Sequence, residues 1–428
     1  MSFDLLDHYS LDKQPNFPPR TLPVGFMLRL AKALHTYGMT AYELENTMKR
    51  VGETLGFGVQ CLAQPTNLIM SFSHPEEPEP KTYVFRVDQG EVNLERQIQV
   101  NTVVRDVMSE SITVSEGAHQ LKAISNSGAR FGVKGQMAGF ALLSAGIAHL
   151  LGGAVAEMLV AFFIGMLTAL IAVKFLRTDS LKYLFPTLSA ILSALVANFV
   201  ASLGWLSSPY IATVAGVIVL VPGLPLTTAV AELARQNMVS GTARLVYAGT
   251  IFLQIGFGVA IGNAIGTGLF PAQPVTFEWY LPDWSLWLSI AYAGIGLCFL
   301  FQSRPVDMHW VVLGGCIAFA ATWYGAQLFG QVLGAFIGAF ITGLVANLFE
   351  RISGITRAVM LMPGIILLVP GSVGFQSLSL MVEKNVLEGI DTAFSMSFVA
   401  IALVTGLLFS SLILPPKELR WRRVNLRD

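Results

Sequence analysis

The chain has 428 residues, of which 54% are hydrophobic and only 13% are charged, and its mean hydropathy is +0.61. This composition excludes an ordinary soluble protein, in which about a quarter of the residues are charged, and also a disordered or collagen-like chain. The formal net charge is zero, so no basic excess indicates nucleic acid, and three scattered cysteines form neither a disulfide framework nor a metal motif.

Charge divides the chain into two regions. Residues 1–134 carry 28 charged side chains, whereas the 294 residues from 135 to 428 carry only 26. We therefore expect a water-soluble region followed by a membrane region. No apolar run lies near Met1, and we expect no cleavable signal peptide.

The soluble region predicts a small cytoplasmic α+β domain over residues 21–130, after a flexible lead-in over residues 1–20. Thr40 is placed to cap the second helix and Ser115 lies near the start of the last one, while a Pro/Glu-rich turn is predicted over His74–Pro80. No nucleophile–base pair is recognisable there, which disfavours an enzyme. The predicted elements are helices over 21–36, 40–55, 97–108 and 113–125, and strands over 57–63, 67–73 and 82–88.

The membrane region contains ten stretches long and apolar enough to predict transmembrane helices, which need roughly 20 residues. If the soluble domain is cytoplasmic, the inner loops and the tail carry 13 Lys and Arg residues and the outer loops carry only Lys384. This asymmetry is typical of ten spans with both termini inside, the last being a basic tail over 415–428. The stretches are 136–152, 154–175, 184–206, 209–230, 243–268, 284–302, 308–328, 331–349, 356–380 and 392–414.

The membrane region also repeats itself. The tetrapeptide at residues 220–223, Leu-Val-Pro-Gly, recurs 148 residues later at 368–371, and Leu-Val-Ala-Asn at 195–198 recurs at 344–347. The unit is therefore five spans, over residues 131–270 and 271–414. Because five is odd, the second unit enters the membrane from the opposite side. The sequence thus predicts an α-helical polytopic membrane protein made of two inverted five-helix repeats, an architecture typical of secondary transporters.

Proline interrupts the fourth and ninth spans, at Pro222 and Pro225 and again at Pro363 and Pro370. A proline inside a helix frees backbone groups, which in a membrane must face protein or a water-filled cavity. We expect a solute site here, although structural kinks would give the same pattern. The predicted substrate-binding residues beside these breaks are Pro222, Gly223, Thr227, Thr228, Pro370, Gly371, Ser372 and Gln376.

Four further polar residues lie in or at the ends of apolar spans. Asn198 and Asn347 occupy equivalent repeat positions and either bind substrate or cross-link helices. Glu157 is a candidate for coupling transport to an ion, because burying a carboxylate in the membrane costs free energy and usually serves a function. The alternative is that its side chain reaches interfacial water. Glu232 is a second coupling candidate, unless it only pairs with Arg235 at the surface. We expect no ATP hydrolysis, metal or cofactor, since no GxxxxGK[ST] loop or Cys/His cluster occurs.

The whole pattern resembles the threonine/serine exporter family, often called ThrE-like, over roughly residues 21–414. The soluble part is similar in Ala41-Tyr42-Glu43-Leu44-Glu45, in Gln64-Pro65-Thr66, and in Val100-Asn101 followed by Val104-Arg105. The membrane part is similar in LVPGLPLTT at 220–228 and LVPGSVGFQSL at 368–378. The chain departs from that family's usual pattern at Thr228, Asn237 and Gln376.

The resemblance implies a secondary exporter of small hydrophilic amino acids, threonine and serine first, in the cell inner membrane. It implies the proton as coupling ion and no enzymatic activity, and it leaves a homo-oligomer open. In some bacteria the same architecture is divided between two chains associated with dicarboxylate export, so a dicarboxylate such as succinate is the alternative solute. A membrane-anchored enzyme or sensor acting through the N-terminal domain is the alternative of another class.

Overall fold

The computed structural model describes residues 21–87, 90, 92–175, 181–275, 278–368 and 386–416. The chain forms two compact units. The first contains the chain up to residue 91 together with Arg96–Gly128, and the second contains Val92–Glu95 together with the chain from Ala129 to the last described helix.

The first unit is an α+β arrangement with an apolar core. The three strands form an antiparallel sheet in the order β1-β2-β3. Side chains four residues apart on the first helix, at Phe26, Leu30 and Leu34, are at most 1% exposed, and Leu68 and Met70 alternate inward from the sheet. The elements are α1 Thr21–Thr36, α2 Ala41–Thr54, β1 Gly58–Gln64, β2 Asn67–His74, β3 Glu77–Arg86, α3 Leu94–Met108 and α4 Val114–Asn126.

Ser115 lies near the start of the last helix, as predicted, since that helix begins at Val114 and is capped by Thr113, whose hydroxyl accepts from the Glu116 N–H at 3.2 Å. The third strand differs from its prediction. The third strand begins at Glu77, inside the segment that was expected to be a turn, and ends at Arg86. Among the described residues, β3 has β2 as its one neighbouring strand, and prolines are tolerated on such an edge strand. The predicted cap at Thr40 is confirmed, with its side chain accepting from the Glu43 N–H.

The second unit is helical, and each of the ten stretches that the sequence predicts to be apolar spans overlaps at least one helix. The helices are α5 Val133–Leu150, α6 Val155–Phe175, α7 Phe185–Ala201, α8 Pro209–Gly216, α9 Gly223–Ala234, α10 Met238–Leu269, α11 Ser285–Leu300, α12 Met308–Phe329, α13 Gln331–Ser353, α14 Ala358–Leu368 and α15 Val386–Ile413.

Length and apolar composition identify a smaller number of membrane-crossing helices. Within the described residues, five helices are long and apolar enough to cross a bilayer alone, and α8 with the chain to the end of α9 forms a sixth, bent candidate. The other apolar helices, α7, α11 and α14, have between 11 and 17 residues. The five are Val155–Phe175, Met238–Leu269, Pro305–Phe329, Gln331–Ser353 and Leu387–Ile413.

Helix packing in the second unit follows a pattern that occurs twice. In the first half, α6 packs against α5, α7 and α8, while α7 packs against α8 and α10. In the second half, α12 packs against α11, α13 and α14, while α13 packs against α14 and α15. These contacts correspond when α5 is matched with α11, α6 with α12, α7 with α13, the bent α8–α9 segment with α14, and α10 with α15. The contacts of α5 with α8 and of α9 with α10 have no counterpart of similar extent among the described residues.

The two halves meet where α5 packs against α11. A side chain at Gly139 would lie 3.0 Å from the Gly296 carbonyl, and one at Gly146 would lie 2.7 Å from the Ala293 Cβ. Further along, His149 is hydrogen-bonded through Nε2 to the Ser285 hydroxyl at 2.8 Å. Contacts later in α5 are thus made to residues earlier in α11, so the two helices run antiparallel. Glycine permits this backbone approach, as is common between membrane helices.

Candidate functional site

The fourth apolar segment is interrupted, as its prolines predict. Helix α8 ends at Gly216, a short 3-10 turn covers Ile218–Leu220, and α9 begins at Gly223 after Pro222. The two parts are bent by 48°. Pro225 lies in the first turn of α9, where the missing N–H removes no helical hydrogen bond. The break therefore places a new helix N-terminus inside an apolar segment, with its partial positive charge.

Small polar and apolar groups surround this break. Pro222, Gly223 and Thr227 are buried, and Thr228 is half-buried. The Thr227 hydroxyl donates to the Gly223 carbonyl at 3.2 Å, so it satisfies a backbone group of its own helix. Since α9 also packs against α14 and α15, the break lies beside the second half of the membrane unit.

The ninth segment differs from the prediction at its first proline. Pro363 is buried within the continuous helix Ala358–Leu368, so it does not break the helix. The second break is predicted at Pro370. The predicted substrate-binding residues Pro370, Gly371, Ser372 and Gln376 lie outside the described residues.

The two repeat-related asparagines connect neighbouring helices. Asn198 donates to the Ala194 carbonyl at 2.8 Å and to the Asn263 side-chain oxygen at 2.9 Å, which joins α7 to α10. Asn347 donates to the Leu414 carbonyl at 2.8 Å and accepts from Arg357 at 3.1 Å. Of the two roles that the sequence leaves open, this geometry favours helix cross-linking.

Glu157 lies in the first turn of α6 and is only 1% exposed, so the idea that it reaches interfacial water is wrong. Its Oε1 accepts from the backbone N–H groups of Ser207, at 2.7 Å, and Ser208, at 3.1 Å. Its Oε2 is buried and has no hydrogen-bond partner among the residues that the structure describes. Ser208 is also the N-cap of α8. The carboxylate therefore binds the backbone turn at Ser207 and Ser208, here called the corner, where the interrupted fourth segment begins.

Glu232 has a different environment. It is 1% exposed, and its Oε2 lies 3.1 Å from Arg244 Nε and accepts from the Ser240 hydroxyl at 2.6 Å. The predicted surface location is therefore wrong, because this is a buried ion pair between α9 and α10. Arg244 was missed by sequence reasoning because its partner lies 12 residues away, across the turn at Gln236.

The first unit gives little sign of reaction chemistry within the part of the chain that the structure describes. His35 is 2% exposed, and its Nε2 lies 3.1 Å from the Pro65 carbonyl. Burial, with a smaller contribution from Glu45, raises the pKa of the Cys61 thiol to about 12, so this thiol is a poor nucleophile. No group of three or more His, Cys, Asp or Glu side chains could hold a metal ion among the described residues.

Two family models match the chain. The ThrE model, a threonine/serine exporter by its description, matches residues 25–266, and a second threonine/serine exporter model, ThrE_2, matches residues 286–413. Together they cover both membrane halves and most of the soluble unit.

Curated fungal proteins match over nearly the whole chain. Pheromone-regulated membrane protein 10 of Zygosaccharomyces rouxii is 25% identical over 91% of this chain and 43% of its own length. The protein of the same name from Eremothecium gossypii is 26% identical over 91% of this chain and 56% of its own length. The chain thus spans about half the length of these relatives. No solved structure matches.

Proposed function

The chain belongs to the threonine/serine exporter family, and from that premise we propose that it is a secondary active exporter of threonine and serine, driven by the proton gradient across the cell inner membrane. It is a multi-pass membrane protein. The family descriptions support the solute, and the lack of a nucleotide-binding loop in the sequence supports an ion gradient as energy source.

The observation that carries this proposal is a set of helix contacts that corresponds between the two halves. Several contacts of the first half recur in the second, and the first helices of the two halves, α5 and α11, run antiparallel against each other. Two similar five-helix units with opposite orientations can exchange conformations, which opens one central site alternately to each side. An anchor for a soluble enzyme or sensor would need no such pair.

The proposal includes ten spans with cytoplasmic termini. The short helices are compatible with it, because the 17 residues of Phe185–Ala201 extend about 25 Å, a few ångströms less than the roughly 30 Å hydrocarbon core. Non-helical flanking residues can complete such a crossing. The concentration of Lys and Arg in every second loop supports the same count.

We place the solute beside the interrupted segments. Helix α9 starts at Gly223 with a partial positive charge suited to the carboxylate of an amino acid, and it packs against α14, which leads to the second Leu-Val-Pro-Gly. Gly223 lets a solute approach the backbone, and Thr227 and Thr228 supply hydroxyl groups one turn later. In this arrangement the first unit regulates transport and contributes no part of the permeation path.

Counterflow in proteoliposomes tests the proposal. The full chain is reconstituted with unlabelled threonine inside, and labelled threonine is added outside at equal pH. We expect saturable uptake of label, competition by serine and none by succinate. The same assay is run with serine and with succinate as the loaded and labelled solute, and counterflow of succinate alone would assign a dicarboxylate exporter. Absence of counterflow for all three solutes would contradict a transporter of this class.

A further inference from the structure

We infer that Glu157 carries the coupling proton, and that its protonation releases the backbone corner at Ser207 and Ser208 so that the first part of the interrupted fourth segment can move. This inference rests on the proposed function, which it extends from a transporter to the group that couples it.

The two oxygens of this carboxylate are in different states. Oε1 accepts both backbone N–H groups of the corner, while Oε2 is buried and has no hydrogen-bond partner in the described part of the chain. A proton can therefore bind Oε2 without first breaking a hydrogen bond. Binding adds one proton and removes one negative charge, and release to the other side restores the carboxylate, so no other reactant is needed.

No cation compensates this charge among the described residues, where no Lys, Arg or His nitrogen lies within 4.0 Å of the Glu157 carboxylate. The nearest titratable group in sequence, His149, is hydrogen-bonded through Nε2 to Ser285. The helices that pack against α6 are α5, α7 and α8, and the backbone of Val155 at its start donates to the Trp279 carbonyl. The ionisable groups on α6, on these helices and on the segment around Trp279 are Lys134, His149, Lys174, Tyr210, Glu278, Tyr280 and Asp283.

Protonation has a mechanical consequence because the carboxylate holds the start of α8. Hydrogen bonds to an ionised acceptor are roughly twice as strong as those between neutral groups, and a negative charge also stabilises a helix N-terminus. A neutral Glu157 loses both contributions. Helix α8 has only eight residues and is followed by the break before Gly223, so a shift of α8 changes the segment that leads to the proposed solute site.

Glu232 provides the matched contrast. It is as buried as Glu157 and is also a glutamate in the first repeat, but Arg244 neutralises it at 3.1 Å. A proton arriving there would have to disrupt an ion pair and would leave the guanidinium unpaired. We therefore assign Glu232 a structural role and Glu157 the coupling role.

The test compares counterflow with uphill transport in proteoliposomes of the full chain, with labelled threonine as the probe. For the wild type, a lumen more acidic by about one pH unit supports about ten-fold accumulation at one proton per solute, since one unit of pH corresponds to a factor of ten. Glu157→Gln keeps an oxygen that accepts the corner N–H groups but cannot take up a proton. We expect it to retain counterflow and to lose accumulation, with an inside-to-outside ratio of about one.

Two further variants decide the remaining outcomes. Glu232→Gln should accumulate threonine as the wild type does, per molecule of inserted protein. Ser207→Pro removes one N–H donor to the ionised form and should move the pH of half-maximal transport upward, which a purely structural Glu157 would not do. If Glu157→Gln also loses counterflow, the pH shift of Ser207→Pro decides. An upward shift supports Glu157 as the coupling residue, and an unchanged pH of half-maximal transport overturns it.

Accumulation by Glu157→Gln at the wild-type ratio would overturn the coupling role while leaving the transporter intact. The same holds if wild-type counterflow occurs but does not respond to a pH gradient. If the wild type shows no counterflow, the proposed function fails, and this inference fails with it.

Discussion

The two halves of the membrane unit, Val133–Leu269 and Ser285–Ile413, share their packing but not their buried charges. Near the start of its second helix, each half has a buried carboxylate, Glu157 in one and Asp307 in the other, exposed by 1% and 3%. Asp307 lies 2.6 Å from the Arg304 guanidinium, whereas the hydrogen bonds of Glu157 to described residues come from backbone N–H groups. The two halves thus share several helix contacts and differ in their electrostatics.

The difference has a physical reason. Shape depends on small residues that let helix backbones approach, such as Gly139 against Gly296, and these requirements are the same in both halves. A transporter driven by one ion needs an uncompensated charge in only one place. A second unpaired carboxylate would add a large desolvation cost without adding function.

The largest expected effect comes from creating such a second unpaired carboxylate. Arg244→Leu leaves Glu232 buried without its cation, and we expect a loss of about 3–5 kcal/mol of stability. Arg304→Leu is the control, because the Arg304 side chain is 31% exposed and its loss costs less. Thermal unfolding of the detergent-solubilised chain measures both. Equal losses would show that the two ion pairs are not differently buried.

A smaller effect is expected from disturbing the shape that the halves share. Gly146→Leu places a side chain 2.7 Å from the Ala293 Cβ, and overpacking of this kind costs about 1–3 kcal/mol. Gly249→Leu is the control, because Gly249 is exposed and a Cβ there would meet no described atom of another segment within 4 Å. The yield and melting temperature of folded protein report the difference. A normal Gly146→Leu variant would contradict the close contact between α5 and α11.

The smallest effect is expected at the repeat-related asparagines. Hydrogen bonds between membrane helices contribute about 0.6 kcal/mol on average, and those to charged groups contribute more. We therefore expect Asn347→Ala, which loses a bond from Arg357, to lower the melting temperature more than Asn198→Ala. Threonine affinity should change in neither variant. Loss of affinity at full stability would instead assign these residues to the solute site.

Local patterns in the sequence predicted much of the fold. The helical spacing of apolar residues predicted the helices of the soluble unit, and proline predicted the interruption at Pro222. Both signals are local, since they act within one or two helical turns. The third strand was predicted too short because Pro78 and Pro80 usually end strands. Here the strand continues through them, with an irregular register against β2 between Phe72 and His74.

The environments of the candidate site residues could not be predicted in the same way. Glu157 is buried by a corner 50 residues later in the chain, and Glu232 by an arginine on the following helix. Periodicity identifies which residues are apolar or polar, but it does not identify which distant segment covers them. That information depends on how the helices pack.

We propose that the two halves of the membrane unit have opposite orientations in the bilayer, and cysteine accessibility tests this proposal. In a background lacking Cys61, Cys298 and Cys316, one cysteine replaces exposed Met238 after the fourth span, or exposed Glu388 at the equivalent place in the second half. In intact cells, we predict that an impermeant thiol reagent labels Glu388→Cys and labels Met238→Cys only after the membrane is opened. Labelling of both positions from the same side would contradict the inverted repeat.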